Sequence, residues 1–148
     1  MENRNRILVG IGADRFWSSY GEREGAWSLI EKARKKFRLK PKTVGGDKGY
    51  FESSFLKRLV ERGIKPHIAT MERYKQSIHQ FVKKMSTSRS YQQSQQARKR
   101  IEELWGEGKE YHGLRRFRRR GLERVRQEAY LIGWLLNLKR LSTLYAPA

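Results

Sequence analysis

Apolar positions in the first 70 residues alternate between runs with a period of two and longer stretches with helical spacing. Residues 6–13 (RILVGIGA) carry Ile, Val and Ile at every second position, which predicts a strand. Residues 22–37 carry apolar side chains at i, i+3, i+4, i+7 and i+11, which predicts a helix. The pattern then repeats, with strands predicted at 42–46 and 64–70 and a helix at 53–62 that has Ser53 as its N-cap and ends at Gly63. Consecutive strand and helix units of this kind predict an α/β fold with a short, mainly parallel sheet and flanking helices.

The second half of the chain has a different texture. Residues 71–96 are rich in Ser, Gln and Lys with few apolar positions, so we predict a partly helical, mobile connection there. A strong helix is predicted at 97–110, followed by an Arg-rich turn at 113–121. From Leu122 to about Leu144, apolar residues with a 3-4-3-4 spacing predict a long C-terminal helix packed on a core.

Charge is the strongest compositional signal. The 148 residues have a formal net charge of +19, and such a chain is expected to bind a polyanion, with DNA or RNA as the natural partner. A basic helix on a membrane surface is the rival interpretation. The absence of cysteine excludes disulfides, zinc ribbons and thiol catalysis. No signal peptide is recognisable and the most apolar stretch, 130–138, is too short to span a bilayer, so we expect a cytoplasmic, nucleoid-associated protein without membrane contact.

Asp47 is the first candidate for chemistry. It follows the predicted strand 42–46, and ligands bind at the carboxyl ends of strands in open α/β sheets. Gly45, Gly46 and Gly49 around it would allow backbone and substrate to approach closely. The alternative is that Asp47 only caps a turn, and the pattern alone leaves both interpretations open.

Glu102 is the second candidate carboxylate. It lies at the edge of the apolar stripe of the helix 97–110, with Arg98 four residues before it and Lys109 seven after it. A carboxylate flanked by cations in this way could hold a metal ion beside phosphates. It could equally form a solvated salt bridge on the helix surface, whereas Glu103 and Glu107 point elsewhere and are interpreted as surface residues.

The densest basic cluster is the segment GLRRFRRRGL. Arginine forks bind phosphate oxygens in a bidentate manner, so the cluster is a candidate nucleic-acid contact, although a charge run can also be a solvated face. Its arginines are Arg115, Arg116, Arg118, Arg119 and Arg120.

Several segments resemble DDE-type insertion-sequence transposases, whose catalytic domain has an RNase H-like fold. KTVGGDKGYFESSFLKRLVERGIKPHIA is similar to the segment around the second catalytic Asp of that family, and RKRIEELWGEGKEYHGLRRFRRRGLERV to the segment of its third carboxylate. The closing LIGWLLNLKRL resembles the final helix, around Asn137, Leu138, Arg140 and Leu141. The resemblance implies that residues 1–148 form the C-terminal part of a DDE transposase catalytic domain, a partial RNase H-like fold.

The resemblance also implies a chemistry. Such enzymes cleave and transfer DNA strands at transposon ends with two divalent ions, Mg²⁺ or Mn²⁺, which activate the attacking oxygen and stabilise the leaving one. By this similarity Asp47 and Glu102 would bind the metals, while Arg98 and Lys109 would orient Glu102 and the DNA phosphates. Full-length transposase, or a separate N-terminal part, is a further expected partner.

One element of the family pattern has no match. The first catalytic Asp of the family lies on the first strand of its sheet, upstream of the residues matched here, and Asp14 is interpreted as a turn residue rather than a substitute. The sheet would then lack its first two strands and keep an exposed edge. We therefore expect the chain alone to be catalytically incomplete and to leave DNA uncut with Mg²⁺ or Mn²⁺. The alternative function is a non-catalytic basic DNA-binding protein, or an inhibitor, derived from a transposase.

Overall fold

Helices dominate the computed structural model, which describes residues 1–3, 5–15 and 18–145. Its regular elements are helix α1 (Ser19–Phe37), strand β1 (Thr43–Gly46), helix α2 (Ser53–Glu61), strand β2 (Lys65–Ile68) and helices α3 (Ser77–Met85), α4 (Arg89–Tyr111) and α5 (Leu122–Tyr145). A short 3-10 turn, Lys48–Tyr50, lies between β1 and α2. The chain forms two compact units, residues 38–99 and residues 1–37 with 100–148, and the boundary at residue 99 falls within α4.

The unit of residues 38–99 contains a short parallel sheet. β1 and β2 pair in parallel from Thr43 opposite Lys65 to Gly46 opposite Ile68, so the predicted parallel pairing is confirmed. α2 is the crossover between them and buries Phe55, Leu56 and Leu59 on its inner face. Gly63 adopts a left-handed conformation with φ of 69° and ends α2, as its position after the apolar stripe predicts.

The N-cap of α2 differs from the prediction. Glu52, rather than Ser53, holds the first turn, since its carboxylate accepts hydrogen bonds from the backbone N–H groups of Ser54 (3.0 and 3.1 Å) and Phe55 (3.3 Å). An ionised carboxylate has two acceptor oxygens and more acceptor sites than the single oxygen of a hydroxyl. Ser53 instead occupies the first helical position.

Residues 71–96 are more regular than their composition suggests. They contain all of α3 and the start of α4. Val82 is fully buried, and the hydroxyl of Tyr91 donates a hydrogen bond of 2.9 Å to the carbonyl of Ile68 on β2. The helical content is confirmed, while the expected mobility of this segment stays a prediction.

The unit formed by residues 1–37 and 100–148 has a core around α5. Ala129, Ile132 and Leu136 are buried on one face of this helix, and the buried Leu8 and Leu104 complete the cluster with Ile132 and Leu136. The predicted long C-terminal helix and its apolar stripe are therefore confirmed. No helix within the described ranges combines the length and the apolar character that crossing a membrane requires.

The strand predicted at residues 6–13 is not formed. Leu8 makes a single antiparallel bridge with Glu2, and no other described residue pairs with this stretch as a strand. The side chain of Asn137 on α5 takes the place of a strand neighbour. Its Oδ1 accepts from the Leu8 N–H at 2.7 Å and its Nδ2 donates to the Leu8 carbonyl at 2.9 Å. A period of two shows only that alternate side chains face opposite sides, and a strand also needs a partner backbone.

Candidate catalytic carboxylates and basic surface

Asp47 lies immediately after the last residue of β1. It is the N-cap of the 3-10 turn, and its Oδ1 accepts a hydrogen bond of 2.9 Å from the N–H of Gly49. The turn-capping contact that the sequence left open is thus present. The side chain is nevertheless exposed, so the cap holds a carboxylate in a fixed position at the carboxyl end of a parallel strand.

At two of the neighbouring glycines, a side chain would come too close to other atoms. A Cβ on Gly46 would lie 2.8 Å from Cδ1 of Ile68, so the end of the Ile68 side chain would have to move. A Cβ on Gly49 would lie 3.1 Å from the Oδ1 of Asp47. The close contacts around Asp47 are therefore those of Gly46 with β2 and of Gly49 with the Asp47 carboxylate.

Glu102 lies on α4 and is exposed, outside the buried position of Leu104. Arg98 is half-buried one turn before it, and Lys109 is exposed two turns after it. Glu102 belongs to the unit of residues 1–37 and 100–148, whereas Asp47 belongs to the unit of residues 38–99. Each of the two residues is therefore exposed in its own unit.

Glu107 on α4 was predicted to be a surface residue, and this prediction is wrong. Instead of lying on the open surface, its carboxylate is largely shielded and accepts from Nζ of Lys139 at 2.5 Å and Nη2 of Arg140 at 3.1 Å. The hydrogen bond and charge of Lys139, with the charge of Arg140, lower the pKa of Glu107 below its usual range although burial opposes the shift. These contacts tie α4 to α5, over 32 positions in sequence, and no local pattern could have indicated them.

Asp14 is engaged in an ion pair. Its carboxylate contacts the guanidinium of Arg126 on α5, and Nε of Arg126 donates a hydrogen bond of 3.0 Å to the carbonyl of Ala13. Asp14 therefore contacts a helix that is distant in the sequence, rather than a residue of its own turn. An aspartate held in this way by a cation is a poor candidate for a metal ligand.

Most of the Arg-rich segment between α4 and α5 is exposed, while Leu114 within it is partly buried against the core. Gly113 and Gly121 at its two ends adopt left-handed conformations with φ of 76° and 91°. Arg115 forms an ion pair with Glu110, and the backbone N–H of Arg118 donates to the carboxylate oxygens of Glu128 at 3.1 and 3.2 Å. The loop is therefore anchored to both helices while its guanidinium groups face solvent. The exposed arginines of the segment are Arg115, Arg116, Arg118, Arg119 and Arg120.

Asp47 and Glu102 offer the hard oxygen ligands that Mg²⁺ prefers. Across residues 1–3, 5–15 and 18–145, however, no group of three or more His, Asp or Glu side chains is placed to hold an ion.

Most of the chain, including the two candidate carboxylates, matches a known protein family. The model of the transposase DDE domain matches residues 19–138, which is most of the chain and includes both Asp47 and Glu102. The chain belongs to the DDE transposase family. Transposases of this family act on DNA and generally use divalent metal ions. No match was found among curated proteins or among solved structures.

Proposed function

We propose that this transposase contributes Asp47 and Glu102 to a metal-dependent active site that cleaves and transfers strands of insertion-sequence DNA. The observation that carries the proposal is the position of Asp47. It is an exposed carboxylate, fixed by the Gly49 N–H at the carboxyl end of a parallel strand, within the segment that matches the family. The same match supports an RNase H-like fold, of which β1, β2 and the crossover helix α2 would form a part.

Each residue has a distinct role in this proposal. Divalent ions, when bound, would activate the attacking oxygen and stabilise the leaving oxygen of the phosphodiester. Asp47 and Glu102 would hold those ions through hard carboxylate oxygens. Arg98 and Lys109, which precede and follow Glu102 on α4, would bind phosphate oxygens and orient the Glu102 carboxylate.

The site needs more carboxylate than these two residues supply. The family uses three, and the only other aspartate of the chain, Asp14, is engaged by Arg126. We therefore propose that Asp47 and Glu102 act together with a carboxylate that this chain does not provide, from full-length transposase or a separate part. The purified chain is expected to leave DNA uncut with Mg²⁺ or Mn²⁺. Metal-dependent nicking that disappears in Asp47→Ala would contradict this proposal, because the chain would then supply every carboxylate that catalysis needs.

DNA binding is proposed to involve the arginines of the loop 113–121. They are exposed, anchored by Glu110 and Glu128, and belong to a chain with a net charge of +19. Binding to chromosomal DNA would place the protein on the nucleoid. A second function, that of a non-catalytic DNA-binding protein or inhibitor, is favoured by the absence of a three-donor group among the described residues.

A transposition assay in cells with a marked element separates the two functions. The variants are Asp47→Asn and Glu102→Gln, each placed in the transposase as its element encodes it. Because losing even an outer-shell partner of a metal site costs about 10–100-fold, losing a ligand is expected to lower transposition by about 100-fold or more. DNA binding and thermal unfolding should stay unchanged.

Matched controls are available in both units. Glu61→Gln removes an exposed carboxylate from α2, and Glu103→Gln removes one from α4 next to Glu102. Both are expected to transpose normally. If Asp47→Asn and Glu102→Gln also transpose normally, the catalytic proposal fails and the DNA-binding function stands in its place.

A further inference from the structure

The segment that follows β2 leaves the sheet at the same edge as Asp47. The N–H of Ala69 donates a hydrogen bond of 3.0 Å to the carbonyl of Gly46, so the carboxyl ends of β1 and β2 lie side by side. Asp47 continues the chain from β1, and residues 69–76 continue it from β2. Both belong to the unit of residues 38–99. Because ligands bind outside the carboxyl ends of parallel strands, a cation in this second segment can contact the same ligand as Asp47.

Arg73 is an exposed cation in this segment, and its guanidinium lies over the ring of Tyr74. The guanidinium carbon is 4.9 Å from the ring centroid, a distance at which the ring attracts a cation. Nη2 of Arg73 also donates a hydrogen bond of 3.0 Å to the Tyr74 hydroxyl, which uses one of the five N–H donors of the guanidinium. No carboxylate among the residues that the structure describes forms an ion pair with Arg73. Most of its donors are therefore available to a ligand.

The ring of Tyr74 is itself supported by the core. It is stacked on the buried His79, with ring centroids 4.9 Å apart and an angle of 23° between the ring planes. His79 packs in turn against Phe51, with a centroid distance of 4.8 Å. Phe51 is buried at the end of the 3-10 turn that Asp47 caps. A continuous series of ring contacts thus connects the turn of Asp47 with the guanidinium of Arg73.

The backbone on both sides of Arg73 is held by one side chain of α3. Nζ of Lys83 donates a hydrogen bond of 3.0 Å to the carbonyl of Glu72 and one of 2.9 Å to the carbonyl of Tyr74. An ordinary surface arginine loses side-chain freedom when it binds a ligand, which weakens binding. Arg73 is already ordered by Lys83 and by the Tyr74 ring, so less of this freedom remains to be lost.

The chemistry of this site favours a phosphate group. The planar guanidinium carries donors whose spacing matches the oxygens of a phosphodiester. The chain has a net charge of +19 and belongs to a family of transposases, which act on DNA. The ligand that fits both the donors and the charge is therefore a DNA phosphate.

We propose that Arg73 binds a phosphate of the DNA strand that is presented to Asp47, and that Tyr74 positions the Arg73 guanidinium. This inference rests on the proposed function, since it assigns the strand at Arg73 to the reaction at Asp47. It adds a DNA contact to the unit of residues 38–99, separate from the loop 113–121. Arg73 would orient the phosphodiester and would neither bind the metal ions nor transfer a proton.

Fluorescence anisotropy of the purified chain with duplex DNA over a salt series tests the contact. Arg73→Gln is expected to reduce the slope of log K against log salt by about 0.9, the contribution of one phosphate contact. Lys75→Gln is the matched control, because it removes the same charge from an exposed position two residues further along the same segment. This control should keep the wild-type slope. Equal slopes in Arg73→Gln and Lys75→Gln would overturn the proposal.

Tyr74→Phe separates positioning from charge. This variant keeps the ring under the guanidinium and removes only the hydroxyl that accepts from Arg73. The slope should keep its wild-type value because the charge remains, while the affinity at a fixed salt concentration should fall about threefold, the usual effect of one hydrogen bond. A lower unfolding temperature with an unchanged affinity would show a purely structural role and would overturn the positioning role of Tyr74.

Transposition in cells, with the transposase as its element encodes it, connects the contact with the reaction. Arg73→Gln is expected to lower transposition about tenfold, as the loss of a charge-assisted hydrogen bond does. Arg73→Lys should recover part of this loss, because it keeps the charge without the planar fork, and Lys75→Gln should transpose normally. Normal transposition by Asp47→Asn would refute the proposed function. Normal transposition by Arg73→Gln, beside an inactive Asp47→Asn, would refute only the role of Arg73.

Discussion

At the scale of single residues, two histidines are buried where a charge would be costly. His79 packs against the rings of Phe51 and Tyr74, with centroid distances of 4.8 and 4.9 Å. His67 on β2 shares a hydrogen bond of 2.6 Å with the hydroxyl of Ser94. Burial lowers the pKa of both imidazoles below its usual value. Both therefore pack as neutral side chains in the unit of residues 38–99.

The free energy of unfolding should consequently depend on pH near neutrality. Lys65 lowers the pKa of His67 further, and for His79 the effect of Lys83 adds to burial while Glu52 opposes it. As the pH falls, the unfolded chain therefore binds protons at a higher pH than the folded chain does. The free energy of unfolding has its full value above the ordinary histidine pKa of 6.5 and decreases as the pH drops below it. Urea unfolding between about pH 7.5 and pH 5.5 measures this loss. The double variant His67→Asn, His79→Phe should show a flatter profile, and an unchanged slope in that variant would contradict the assignment.

At the scale of elements, the first turn of α2 depends on Glu52. Although burial raises the pKa of this carboxyl, hydrogen bonds from Ser54, Phe55 and Ser53 outweigh it and lower the pKa to about 2. Glu52→Gln is expected to cost about 1 kcal/mol of unfolding free energy at neutral pH, the usual effect of losing an N-cap. This difference should shrink as acid protonates the wild type, from the unfolded pKa of 4.5 down to about 2. Glu61→Gln at the other end of α2 should be nearly neutral, and an equal loss in both variants would mean that the cap is not responsible.

Local patterns predicted those elements whose stability is decided locally. α1, α2 and α5 follow their apolar periodicity, and Gly63 ends α2 where the sequence places the stop. The stretch 6–13 failed because its alternation needed a second strand, and the structure pairs Leu8 with the side chain of Asn137 instead. Glu107 was misjudged for the same reason, since Lys139 and Arg140 approach it from another helix.

At the scale of the whole molecule, the candidate site was predictable only as separate residues. The strand end before Asp47 and the apolar stripe beside Glu102 are features of the local sequence. The structure shows both residues exposed, as binding a metal ion requires. A metal site, however, is a constellation of several ligands, and the spacing of two carboxylates along the sequence cannot specify it. The transposase family match covers both residues, and their joint role in a metal site stays a proposal.

The charge of the whole molecule makes a quantitative prediction about DNA binding. If Arg119 and Arg120 each neutralise one phosphate, replacing both with Gln should reduce the slope of log K against log salt by about 1.8, because each contact contributes about 0.9. Lys35→Gln, Lys40→Gln makes the same change of net charge at exposed positions elsewhere, and it should keep the wild-type slope if the loop is the contact. Fluorescence anisotropy with duplex DNA over a salt series measures both slopes. Equal, small losses in the two double variants would mean that DNA responds only to the total charge, and the loop between α4 and α5 would then be a solvated face rather than a DNA-binding surface.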